Sequence, residues 1–401
     1  MLIRVLRVWL LLLISDLYSK FLDRDLEYQF DILTMKRLFV ALLIAAISLP
    51  ISAQNKSTSY EEYIKSKQAG FDAYKKKFEK GLYESMETYL AFEKKYNDDY
   101  EAYKKKVMGM WGDDEMVDST PKTWVDYSKD LTSRSNVDFE KGEVEIEVLV
   151  DVDQTEKDIN KKLKDAVVDL VEAKDTLTGN TILKDQLEVK KEVVDTVKQE
   201  VKKVQTDNGE KKVVKIKMEL AEDHLSVRAA QFKDIVKKNS DRFDIDQPLI
   251  YAVIEQESAF NPKAKSHAPA YGLMQLVPKS GGRDAFRHVH KRDVVPAPAY
   301  LYVPENNVEL GTGYLNLLMT QTFAQVKDPQ CRMLCAIAAY NTGAGNVSRA
   351  INGGRSVSKA VPAINAMSYD KLYSHLKRHL PHDETRNYIQ KVTEKMNKYK
   401  K

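Results

Sequence analysis

Apolar and polar positions follow two different periods along this chain, and the changes of period divide it. Residues 57–108 are rich in Lys, Glu, Tyr and Phe, with almost no glycine and no proline. Tyr60, Tyr63, Phe71, Tyr74, Phe78 and Leu82 recur there at near-helical spacing, which predicts a long amphipathic helix or a helical pair. Residues 109–135 read as irregular, with an Asp-Ser-Thr-Pro break at 118–121. Val137 and Phe139, then Val144, Ile146, Val148 and Val150, alternate with polar residues and predict two strands joined at Lys141-Gly142. Helical spacing returns from about 155 to 203, interrupted at Gly179-Asn180. Asp207-Asn208-Gly209 is a turn signal, after which Val213, Ile216 and Met218 lead a strand to about 220. From about 226 the pattern is helical to the end, with helices expected over roughly 308–325, 330–341, 346–352, 369–379 and 383–398. Residues 279–307, with Gly281-Gly282 and three prolines, are expected to be irregular. The fold class read from this is an α+β N-terminal domain followed by a mainly α domain.

Two apolar runs near the start fall outside that scheme. Leu2 to Ile14 is short for a bilayer span. The second opens with Lys36-Arg37, continues as LFVALLIAAISLPI and ends at Ser52-Ala53, the layout of a secretory signal peptide over 35–53. The expected organisation is therefore an upstream extension at 1–34, the signal peptide, an α+β domain at 54–225 and a helical domain at 226–401. Export to the periplasm or an outer-membrane-associated position follows from that reading. No cysteine follows the apolar run to carry a lipid.

Composition and charge sharpen the picture modestly. With 43% apolar and 30% charged residues, the chain can bury two or three cores. The net charge of +4 conceals an asymmetry: residues 226–401 hold 26 basic against 15 acidic side chains, residues 54–225 hold 31 against 39. A basic C-terminal half suits a polyanion, whether nucleic acid, an anionic membrane or a wall polymer, and charge alone does not choose. Cys331 and Cys335, four apart on an expected helix, read as small core residues. His288 and His290 form an HxH pair with no third ligand placed by spacing, so no metal site is expected.

The candidate chemistry centres on residues 247–278. Pro248 suits a first helical turn and Asn261-Pro262 a stop. Leu249, Ile250, Val253 and Ile254 form an apolar stripe; Glu257 falls near its middle and Glu255 roughly opposite. Glu255 is thus expected in solvent, and Glu257 inside the protein. A carboxyl in apolar surroundings has a raised pKa and can serve as a general acid near neutral pH. The competing readings are a buried Glu paired to a Lys or Arg, and a helix end that leans out into water.

Four short clusters accompany it: Glu257-Ser258 with Phe260-Asn261-Pro262; Ser266 followed by Gly272-Leu273-Met274-Gln275; Ala339-Tyr340-Asn341-Thr342-Gly343; and Glu384-Thr385 with Tyr388. Each is weak alone. In this order and spacing the chain resembles the lytic transglycosylases of the soluble-lytic, goose-lysozyme-like type, and among them the membrane-bound lytic murein transglycosylase C proteins. The match runs on through Asp284-Ala285-Phe286-Arg287, Asn306 to Tyr314 and RHLPHDETRNYIQKV, and TSRSNVDFEKGEVEIEV resembles that subfamily's N-terminal domain. The resemblance implies a lysozyme-like catalytic domain with Glu257 as the single acid/base. It implies a glycan groove formed by Ser266, Gly272, Met274, Gln275, Tyr340 and Asn341, with Tyr388 near the catalytic carboxyl.

The implied partner is the glycan strand of peptidoglycan, cut between N-acetylmuramic acid and N-acetylglucosamine, with no nucleic acid, cofactor or metal. Protein partners in the envelope would engage the N-terminal domain. The resemblance further implies that Glu257 protonates the leaving oxygen and then takes the C6 hydroxyl proton, closing a 1,6-anhydro ring. Whether Tyr340 or Tyr388 holds Glu257 stays open at this point. The rival readings are a hydrolytic muramidase, with Asp284 or Asp293 as second carboxylate, and a wall-binding protein without catalysis. Pro269-Ala270-Tyr271 departs from the Gly-Ala pair that many relatives carry before GLMQ.

Overall fold

A computed structural model describes residues 58–112, 116–174, 179, 181–187 and 194–400, with side chains described from residue 80. By its packing the chain divides into residues 1–72 and 73–401; of the former, only the helix beginning at Thr58 falls among the described residues. The expected signal peptide and upstream extension lie outside them.

The aromatic-rich segment is one helix, α1 (Thr58–Trp111), rather than a pair. Five antiparallel strands follow in the order β1-β2-β3-β5-β4, from β1 (Thr123–Tyr127), β2 (Ser133–Asp138), β3 (Glu143–Asp151), β4 (Glu200–Thr206) and β5 (Gly209–Glu219). The β2–β3 hairpin stands where alternation placed it, and Asp207-Asn208 turns β4 into β5. Val144, Ile146, Val148 and Val150 face α2 (Glu156–Glu172) through Ile159, Leu163 and Val167. Leu149 and Val213, on the opposite face, pack with Val107 and Trp111 at the end of α1. The sheet is thus covered on both sides.

Two expectations for this region need correction. Residues 123–127, read as irregular, form the edge strand β1. The helical reading to 203 fails: α2 stops at Glu172, and 200–206 is the other edge strand, β4. Its sequence, EVKKVQT, buries only Val204 and Thr206, because an edge strand with one face to solvent carries charges that imitate a helix surface.

The rest is helical: α3 (His224–Ala230), α4 (Lys233–Phe243), α5 (Gln247–Ser258), α6 (Arg283–His290), α7 (Pro298–Leu301), α8 (Pro304–Leu317), α9 (Pro329–Thr342), α10 (Ala344–Asn352), α11 (Val357–Asn365), α12 (Tyr369–His379) and α13 (Asp383–Tyr399). Helices α6 and α7 occupy part of the stretch expected to be irregular, and α11 went unread. Both cysteines are free and buried on α9, as core residues. A single core gathers α4, α5, α9, α12 and α13 around Ile250, Ile254, Leu334, Ile337 and Ile389. Helix α5, with every apolar face covered, sits at its centre. Among the described residues no helix is long and apolar enough to cross a membrane.

Candidate active site

Two carboxylates one turn-face apart on α5 meet opposite fates. Glu255, expected in solvent, is 4% exposed and is hydrogen-bonded by Lys395 Nζ (2.7 Å), Lys398 Nζ (2.9 Å) and the Tyr399 hydroxyl (2.5 Å) of α13. Burial pushes its pKa up, but the bonds from Lys395 and Tyr399 outweigh that and hold it below the ordinary value. The buried, base-paired glutamate is therefore Glu255. The wheel misplaced it because the C-terminal helix, far away in sequence, covers that side of α5.

Glu257 is half-buried, and Tyr388 Oη donates to its Oε1 at 2.7 Å. No ion pair reaches it among the described residues. The residue keeps some exposure, yet the protein around its carboxyl leaves little water to solvate a charge. Burial consequently lifts its pKa from 4.5 to about 7, against the opposing effects of the Tyr388 bond and the Lys122 charge and with a further push from Glu384. Tyr388 comes from α13, which runs antiparallel to α5: Tyr399 stacks on Tyr251 at 5.0 Å at one end, and Tyr388 meets Glu257 at the other. Removing that hydroxyl removes an influence that lowers the Glu257 pKa. Tyr388→Phe is thus expected to move the alkaline limb of the rate upward in pH while cutting the maximal rate ~10-fold, as a pH–rate series would read.

Tyr340 does something different. Its hydroxyl donates to the Met274 carbonyl at 2.8 Å, tying the end of α9 to the Gly272–Gln275 turn. Tyr340 lies within electrostatic reach of Glu257, and burial raises its own pKa well above the usual range, so it stays a neutral donor. Asn341 bridges to α13, accepting from Thr385 Oγ1 (2.6 Å) and donating to Glu384 Oε1 (3.3 Å). Ser266 accepts from the Ala270 amide at 3.2 Å and donates to the Ala268 carbonyl, closing a short loop beside the turn.

The turn itself is built on two left-handed residues, Gly272 (φ +76) and Gln275 (φ +47). Gln275 Nε2 donates to the carbonyls of Ala264 (3.0 Å) and Gly272 (2.9 Å), so its amide braces the loop from inside. The Met274 side chain is fully buried against Gly311, so its thioether belongs to the core. Residues that sequence reasoning missed do most of the bracing. Asn307, fully buried on α8, donates to the carbonyls of Tyr271 and Leu301 (2.8 Å each) and accepts from the Met274 amide (2.7 Å). Ser258 Oγ donates to the Leu273 carbonyl at 2.8 Å and so ties the residue after Glu257 to the same turn. An Asn 33 positions away carries no local signal. A Cβ on Gly272 would collide with the Leu301 carbonyl and the Asn307 amide. Gly272→Ala is therefore expected to cost about 3 kcal/mol, measurable as a lower urea midpoint together with lost activity.

The remaining candidates have partners of their own. Asp293 is locked in a two-pronged pair with Arg283 (2.6 and 2.5 Å), and Asp284 bonds Arg287 at 3.1 Å. His288 contacts Asn316 Oδ1 at 2.8 Å, and His290 lies 3.4 Å from Glu309.

Residues 234–361 match the family described as Transglycosylase SLT domain, and residues 89–202 match that of the membrane-bound lytic murein transglycosylase C N-terminal domain. Membrane-bound lytic murein transglycosylase C of Klebsiella pneumoniae is 31% identical over 319 residues, covering 74% of this chain and 86% of its own. The Pectobacterium atrosepticum protein of that name is 28% identical over 391 residues, covering 92% and 100%. Among solved structures, the 70 kDa soluble lytic transglycosylase of Escherichia coli is 26% identical at a TM-score of 0.32, over 42% of this chain; the chain spans about a quarter of that protein's length. By its two matched regions and the extent of its full-length relatives, the chain belongs to the membrane-bound lytic murein transglycosylase C family.

Proposed function

We propose that this protein cleaves the β-1,4 bond between N-acetylmuramic acid and N-acetylglucosamine in peptidoglycan without water, releasing 1,6-anhydromuramoyl products. As a member of its family it is an enzyme, a lytic murein transglycosylase of the lyase class. The observation that carries the finer reading is Glu257: a half-buried carboxyl with a pKa of about 7, oriented by a tyrosine and, among the described residues, in no ion pair. Such a group is protonated often enough to give a proton near neutral pH and acidic enough to be taken back as a base.

In this scheme the Glu257 carboxyl protonates the glycosidic oxygen, and the bond from muramoyl C1 to that oxygen breaks. The cationic C1 is stabilised as an oxocarbenium ion or by its own 2-acetamido oxygen. The Glu257 carboxylate then removes the proton from the C6 hydroxyl of the same sugar, whose oxygen bonds to C1. Glu257 ends protonated, as it began, and no water is consumed. Tyr388 keeps the carboxyl aimed through both steps. Ser266, Gln275, Tyr340 and Asn341 are proposed to border the groove, and Gly272 and Met274 to shape its wall from behind.

The hydrolytic rival needs a second carboxylate with a water between the two. Asp284 and Asp293 are engaged by arginines, which supports the one-carboxyl reading. Glu384 is the carboxylate within reach of Glu257, and Asn341 occupies one of its oxygens. A periplasmic or outer-membrane-facing location, with 54–225 and 226–401 as the two working domains, completes the proposal. Digestion of purified sacculi tests it: turbidity falls with no new reducing ends if the reading holds, and one reducing end per cut overturns it.

A further inference from the structure

Immediately beyond Glu257-Ser258 the backbone takes two consecutive left-handed steps without a glycine, at Ala259 (φ +47) and Phe260 (φ +61). Each costs about 1–2 kcal/mol for a residue with a Cβ, so something must hold the pair. Both carbonyls of this turn accept from one guanidinium: Arg228 Nε reaches Ala259 O at 3.1 Å and Nη2 reaches Phe260 O at 2.8 Å.

That guanidinium is in turn held by the N-terminal region. Its Nη1 donates to Gln186 Oε1 at 2.9 Å, and its face lies 3.6 Å from the ring centroid of Phe139, just past β2. Gln186 and Phe139 are both fully buried. Gln186 is itself fixed: its side-chain Nε2 donates to the Ile182 carbonyl at 3.2 Å, and its backbone carbonyl accepts from the Ala221 amide at 2.9 Å. The Ala259 methyl is buried among the side chains of the sheet's core, with Val137 and Val144, which explains an alanine where φ alone would favour glycine. Next along, Asn261 Nδ2 donates to the Pro121 carbonyl at 3.3 Å. The turn that ends the helix of Glu257 is thus held at three successive residues, by the N-terminal region directly at Ala259 and Asn261 and through Arg228 at Phe260.

We infer that Arg228, aimed by Gln186 and Phe139, is a positioning residue for Glu257, so that the N-terminal domain is a working part of the catalytic site. The inference rests on the assignment of Glu257 as acid/base. A lysine cannot replace Arg228, because spanning two carbonyls and an amide oxygen at once needs the planar fork. A cavity of about 130 Å³ opens beside Arg228, lined by Trp124, Gln231, Phe232 and Phe260, and is wide enough for a small cation to enter.

The test uses the whole exported chain with Arg228→Ala, Arg228→Lys, Gln186→Leu and Glu257→Gln, each followed by kcat, KM, pH–rate profile and thermal melting. Arg228→Ala is expected to lose ~100-fold in kcat with little change in KM, because a small misplacement of the carboxyl is costly. Its alkaline limb should fall to lower pH as water reaches Glu257. Millimolar guanidinium, but not ammonium, should restore part of the rate. Arg228→Lys should stay slow, and Gln186→Leu should melt somewhat lower, because buried partners lose a bond, and lose ~10-fold in kcat when assayed well below its melting temperature. Should Arg228→Ala fail to fold, Gln186→Leu carries the same test through its kcat and pH profile. A folded Arg228→Ala or Gln186→Leu with parental kcat and pH profile, beside an inactive Glu257→Gln, overturns the inference alone. So does a loss in Arg228→Ala that only tracks the unfolded fraction and ignores guanidinium. An active Glu257→Gln overturns the reading beneath it.

Discussion

Glu257→Gln is expected to lower the rate of sacculus digestion ~10³-fold or more, because a single group is asked to supply both proton transfers. The amide keeps the shape of the side chain and can still accept from Tyr388, so binding to sacculi should persist. The same variant should be more stable than its parent above neutrality. Burial raises the carboxyl from 4.5 to about 7 in the folded protein, so between those values the folded state holds a proton that the unfolded state has released. Stability therefore falls as pH rises from about 4.5 through about 7. Glutamine does not ionise and escapes that loss, worth about 3 kcal/mol at most for a residue that is only half-buried. Urea melts at acidic and mildly alkaline pH should show the two proteins converging below about 4.5 and the variant ahead above 7. Equal melts at both pH values would mean that Glu257 is solvated in the folded state.

Asn307→Leu carries the largest expected stability loss. The side chains match in size, but three buried backbone groups, the Met274 amide and the Tyr271 and Leu301 carbonyls, would lose their partner. At 1–3 kcal/mol for each group left unsatisfied, a loss of about 4 kcal/mol is expected. Activity should fall with it, since the Met274 carbonyl is also the anchor of Tyr340. A loss under about 1 kcal/mol would mean that the turn finds other partners.

These predictions show what local pattern could and could not convey. The hairpin at 133–151, the turn at Asp207-Asn208 and the long helices of the second half follow from period and punctuation, and they stand where the pattern put them. Strand β4 was lost to its lysines and glutamates, which serve an edge strand as well as a helix. Glu255 was assigned to solvent because the wheel knows one helix, whereas its surroundings are set by Lys395, Lys398 and Tyr399 on another. For the same reason the choice between Tyr340 and Tyr388 lay beyond the sequence: both are tyrosines packed on the same core, and only the antiparallel packing of α5 on α13 brings Tyr388 to the carboxyl. Ser258, Asn307 and Arg228 act on backbone carbonyls and amides far along the chain, a contact that leaves no trace in residue spacing. Motifs marked the chemistry, and the supporting shell had to be seen in three dimensions.

The proposed chemistry also accounts for the stability given up at Glu257. A pKa near 7 is a cost to the fold above neutrality, and it is the property that lets one carboxyl act first as acid and then as base.

The central claim, that Glu257 works alone and the substrate supplies the nucleophile, is tested most directly by the mass of muropeptides released by the purified protein. Ring closure predicts products lighter by one water than the corresponding hydrolysed muropeptides, with no solvent oxygen incorporated when digestion runs in ¹⁸O-labelled water. Products at the hydrolysed mass, carrying the label at muramoyl C1, would contradict it.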